Sequence, residues 1–111
     1  MTYARKIILH APPWNSPLLE GFVDACIRDN VYLICVFGED CERVHDVIQE
    51  IIVGIRLGLI VVGDGASKAL IADTTILTSW HTDETLDEVR EFAETVQVDD
   101  DEHAKVQEVT L

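Results

Sequence analysis

The chain has 111 residues, enough for one buried core and too few for two, and at 48 % apolar and 26 % charged residues its composition excludes a disordered polypeptide. Its 21 Asp and Glu against 8 Lys and Arg leave a net charge of −13, a field that repels nucleic acid and anionic membrane surfaces alike. The sign suits a basic protein partner, or simply a solvated and soluble surface. Three cysteines, Cys26, Cys35 and Cys41, make no disulfide framework by count and show no metal-type spacing. The first apolar run is too short for a signal peptide. The longest, "IIVGIRLGLIVV", is interrupted by Arg56 and is about half a membrane span. These features together imply a cytoplasmic protein that keeps its thiols reduced.

Taken in order, "KIILH" at 6–10 is a short apolar run ended by the prolines of "APPWNSP", and it reads as a buried strand followed by a loop. Ser16 before Pro17 starts a helix, and Leu18, Leu19, Phe22, Val23, Cys26 and Ile27 give it an apolar stripe that ends near Asn30. "VYLICVF" at 31–37 is β-branched and aromatic without polar alternation, the pattern of a strand covered on both faces. Asp40 is placed to cap a second helix with the stripe Cys41, Val44, Val47, Ile48, Ile51, Ile52 and Ile55, stopped at Gly58. "LIVV" at 59–62 is expected to be a third buried strand, closed by "GDG". Residues 63–74 admit either a short crossover helix over 67–72, which is favoured, or an edge strand "KALIA" in a hairpin.

"TTILTSW" at 74–80 is the expected fourth strand. Thr85 and Glu88 form a capping-box pattern ahead of a helix carrying Leu86, Val89, Phe92, Ala93 and Val96. Residues 98–104 form an acidic linker, and "KVQEVTL" alternates as a short fifth strand at a sheet edge. Between 83 and 111 there are 11 acids and 2 bases, so −9 of the total charge sits in the last quarter. The alternation of strands and helices predicts a single α/β domain over 1–111. The expected architecture is three-layered, a mostly parallel sheet of four to five strands with helices on both faces.

In such a sheet ligands bind at the carboxyl ends of the strands. That edge would carry His10 and Trp14; Gly38, Glu39, Asp40 and Cys41; Gly63, Asp64 and Gly65; and Trp80, His81, Asp83 and Glu84. Caps and turns explain the acids and glycines, but not the His, Trp and Cys. Candidates for catalysis are His81 as a general base, Asp64 or Asp40 orienting it, and Cys41. Candidates for ligand contact are His10, Trp14, Trp80 and Asp83. Cys41 stands where a helix dipole lowers a thiol pKa, yet Glu39, Asp40 and Glu42 oppose a thiolate, so packing is the expected role. Cys26 and Cys35 are packing cysteines too. His10, Asp40, Asp64 and His81 include metal-type donors at no diagnostic spacing, so no metal and no cofactor is assigned.

"VYLICVFGEDC" (31–41) and "ILTSWHTDETLDEVREFA" (76–93) resemble a family of small bacterial proteins known only as a domain of unknown function. The resemblance rests on Gly38, Asp40 and Cys41, then Trp80, His81, Asp83, Glu84, Leu86, Glu88, Val89 and Phe92. It implies no activity. What it implies is that Asp-Cys and Trp-His are shared features of one sheet edge. Three readings follow: a non-enzymatic acidic binding or regulatory module, which leads; a small hydrolase or metal-dependent enzyme built on His81; and a structural homodimer.

Overall fold

The computed structural model describes residues 3–11, 16–72, 75–96 and 105–111. Trp14, the side chain of Ser16 and the 98–104 linker lie outside the described residues. In chain order the elements are β1 (Lys6–Ala11), α1 (Ser16–Arg28), β2 (Leu33–Gly38), α2 (Cys41–Leu57), α3 (Ser67–Ala72), β3 (Leu77–His81), α4 (Leu86–Thr95) and β4 (Val106–Thr110). The four strands form one all-parallel sheet in the order β3-β2-β1-β4, an α/β fold as the alternation predicts. The closing segment is indeed an edge strand, with Lys6 opposite Val106 and His10 opposite Thr110.

Because side chains alternate along a strand, each strand contributes to two apolar clusters. Ile7, Leu9, Ile34 and Val36 pack with Leu19, Phe22 and Val23 of α1, with Val44, Ile48, Ile52 and Ile55 of α2, and with Ile71 of α3. Their neighbours in sequence, Ile8, Leu33 and Cys35, pack with Val89 and Ala93 of α4. Lys6 shares the register of Ile8 and is 2 % exposed; its ammonium reaches the Glu94 carbonyl at 3.5 Å, where a cation suits the carboxyl end of α4. At the start of α4 the capping box forms as expected: Thr85 accepts from the Glu88 N–H, and the Glu88 carboxylate accepts from the Thr85 N–H at 3.2 Å.

The expected third strand at 59–62 is not a strand. Leu59 and Val61 are 79 % and 69 % exposed, and the place beside β2 belongs to β3. The reason lies in how α2 ends. Gly58 turns left-handed at φ 77°, and the N–H groups of Leu59 and Ile60 both close onto the Gly54 carbonyl. That reversal lays Ile60 across Gly54, where an added Cβ would fall 2.4 Å from its Cδ1. The segment then runs to α1, where Arg28 holds Asp64 at 2.6 Å, and α3 returns the chain to β3. Thus α2 and α3 together make one crossover between β2 and β3. The favoured short helix over 67–72 is observed, and the last β2-side strand starts at Leu77 and includes His81, later than the periodicity of 74–80 suggests.

Candidate functional site

The loops after β2 and β3 enclose an open cleft of about 620 Å³ at the carboxyl edge of the sheet. Phe37, Gly38, Cys41 and His81 are among the residues that line it. Five carboxylates line it, Glu39, Asp40 and Glu42 from the β2 side and Asp83 and Glu84 from the β3 side, with Arg43 as the one arginine or lysine. Asp40 and Asp83 both hold left-handed conformations, at φ 58° and 60°, which Asp tolerates better than most residues and which turn the chain sharply at each mouth. Asp40 stands at the N-cap position of α2, but its side chain makes no capping hydrogen bond, contrary to the expected role. An N-cap side chain ordinarily reaches the helix amides from an extended conformation, which the left-handed backbone here does not supply.

The sequence candidates part company in space. Trp80 and His81 are adjacent and therefore face opposite sides of β3. The Trp80 ring meets the His45 ring of α2 at 4.7 Å, while the His81 ring meets the Phe92 ring of α4 at 4.9 Å. His81 is 6 % exposed and both of its nitrogens are engaged: Nδ1 with the Glu84 carboxylate at 3.0 Å and Nε2 with the Ser79 hydroxyl at 2.8 Å. Asp64, which was expected at the same edge, is tied to Arg28 at the far end of α1. The Arg28 guanidinium, aided by the Ala66 N–H, holds its carboxyl below the usual carboxylate range. Neither Asp64 nor Asp40 orients His81; Glu84 does.

His10 lies in a row with Phe37 and His81 across β1, β2 and β3, and Phe37 stands between the two histidines. The His10 ring packs edge-on against Phe37 at 5.6 Å, and its Nε2 meets Glu108 of β4 at 3.0 Å. Cys41 is buried, with its sulfur 3.7 Å from the Thr82 hydroxyl across the cleft. Burial pushes the thiols of Cys26 and Cys35 up, the first strongly and further raised by Asp29, the second partly offset by its hydrogen bond with Ser79. Both therefore behave as packing residues. Among the described residues no group of three or more His, Cys, Asp or Glu is arranged to hold a metal ion. Among them, too, no helix is long and apolar enough to cross a membrane.

Two sets of contacts were not foreseen from sequence. The first is His45, whose Nε2 meets the Thr78 hydroxyl at 2.9 Å, with Gln49 also donating to that hydroxyl. Its signal was spacing: 45 and 49 follow Cys41 at four-residue intervals along one flank of α2. The second is Ser79, two residues before His81 and so on its face of the strand.

The hydrogen bond from His10, followed in effect by the Arg90 guanidinium, holds the Glu108 carboxyl below the ordinary glutamate value. Since its folded value is the lower one, this tie adds stability above the unfolded pKa of about 4.3 and loses it as pH falls through the folded value. NMR titration should show Glu108 protonating below that ordinary value. An unshifted Glu108 would mean that β4 is not tied to α4 and β1 in this way.

The fold and cleft together define a small parallel α/β protein with an acidic mouth between two strand-end loops. The chain belongs to the family DUF7684, a domain of unknown function, whose family model matches residues 3–111. No curated protein matches the chain. No solved structure matches it either.

Proposed function

We propose that this chain is a small, non-enzymatic binding or regulatory module of the bacterial cytoplasm that captures a basic protein partner on its acidic surface. The observation that carries the reading is the cleft, where five carboxylates face one arginine. The outward residues of α4, Asp87, Glu88, Glu91 and Glu94, are exposed and extend the same sign of charge. Such a field steers a basic partner and disfavours an anionic one. Buried, reduced cysteines fit a cytoplasmic setting. The test is to place a photoreactive residue at position 39 and trap whatever occupies the cleft in the cell. A basic protein is the expected adduct; an acidic protein, or no adduct, contradicts the reading.

The second reading, a small hydrolase with His81 as base, draws on one observation: Ser79, His81 and Glu84 form a continuous hydrogen-bonded chain in the order of a nucleophile, base and orienting acid. Ser79 does not line the cleft, however, and Phe92 covers the imidazole. A substrate carbonyl in the cleft would meet carboxylates instead of the hydroxyl. For this reason binding is placed first.

A further inference from the structure

The two edges of the sheet differ. The β4 edge carries Glu108, hydrogen-bonded to His10 and ion-paired with Arg90, and charge of this kind discourages further strand pairing. The β3 edge, "LTSWH", carries no Asp, Glu, Lys or Arg, and among the described residues no strand pairs with its outer side. The Leu77 N–H donates inward to the Tyr32 carbonyl at 2.8 Å. By the alternation of a parallel ladder, the backbone groups of Leu77, Ser79 and His81 face β2 while those of Thr78 and Trp80 face outward. Trp80 is 45 % exposed and steadied by the His45 ring beneath it.

We infer that the β3 edge is a docking strand, which takes an extended, basic segment of a partner protein as a fifth strand. The N–H and C=O groups of Thr78 and Trp80 would bind its backbone, and the Trp80 indole offers a face for a Lys or Arg side chain. Charge selects the occupant. Asp46, with its side chain 65 % exposed, adjoins His45 beside this edge, and Asp83 and Glu84 lie just past the end of the strand, after Thr82. A second copy of the chain would bring another net −13 and its own Asp46 to the same place. A basic segment brings the complementary sign. The inference rests on the acidic binding role proposed above and gives the partner a place and a backbone geometry.

Amide hydrogen exchange on the intact chain tests it, using a short capped peptide of alternating Lys and Val. A Glu-Val peptide of equal length serves as one control, and the Lys-Val peptide N-methylated along its central residues as another. With the first peptide, exchange at Thr78 and Trp80 should slow by on the order of tenfold or more. The Glu-Val peptide should do nothing, and N-methylation, which removes the donors of the incoming strand, should weaken binding by about tenfold or more. The readout needs no change to the protein, so misfolding of a variant does not enter. Lys-Val binding that leaves Thr78 and Trp80 unprotected overturns strand addition but not acidic binding. Absence of any Lys-Val binding overturns both. Protection of both amides without peptide, together with a doubled mass in solution, assigns the edge to a second copy and also overturns the inference.

Discussion

Replacing Ile34 with Ala is expected to lower the free energy of unfolding by about 2–5 kcal/mol. Ile34 is fully buried in β2, the strand flanked by both β1 and β3, and stands between Ile7 and Thr78 in register. Its side chain joins the cluster that binds α1, α2 and α3 to the sheet, where the void left by three missing carbons has little room to collapse. Single domains are stable by roughly 5–15 kcal/mol, so this one change removes a large share. Leu59→Ala is the informative contrast. Both residues sit in β-type apolar runs of the sequence, but Leu59 is 79 % exposed, and its truncation should move stability by no more than about 0.5 kcal/mol. Urea unfolding of the two variants measures both. A Leu59→Ala loss as large as that of Ile34→Ala would restore 59–62 as a core strand.

The second large effect concerns the cleft. Glu39→Gln, Asp40→Asn, Glu42→Gln and Asp83→Asn combined are expected to weaken capture of the basic partner by roughly fourfold to nine-hundred-fold. Exposed ion pairs contribute about 0.2–1 kcal/mol each, and four of them act together. Glu84 is left in place because it orients His81. Asparagine at 40 and 83 tolerates the left-handed backbone found there, so the fold should survive. Thermal stability should be unchanged or slightly higher, since neutralising like charges at one mouth removes their repulsion. A variant that folds normally and still binds at full strength would take the acidic mouth out of the account.

The helices were legible because their signals are local. The stripe of α2, Val44, Ile48, Ile51, Ile52 and Ile55, and the Thr85-Glu88 box each depend on residues within a turn or two. The strands were legible as apolar runs, but a run does not state whether it is buried. "LIVV" has the composition of a strand and is diverted by a distant event, the reversal at Gly58 that folds Ile60 back on Gly54. Once 59–62 left the sheet, Asp64 left the strand-end edge with it, and its partner became Arg28, 36 residues earlier.

The site was half legible for a similar reason. Reading the carboxyl ends of β2 and β3 found the acids, Cys41, Trp80 and His81. The period of a strand already separates Trp80 from His81, since neighbours face opposite sides, so the two rings serve different faces of the sheet. What spacing along the chain does not encode is which helix covers each face. That α2 brings His45 to Trp80, and α4 brings Phe92 to His81, follows from tertiary packing alone.

The central claim is that the acidic cleft binds a basic partner. Its most direct measurement is the affinity of the partner trapped at position 39, taken across a salt series for the unaltered chain and for the cleft variant with four acids neutralised. The account predicts binding that weakens steeply with salt in the unaltered chain, and binding by the variant that is weaker from the start and less sensitive to salt. Equal affinities with equal salt dependence would contradict it.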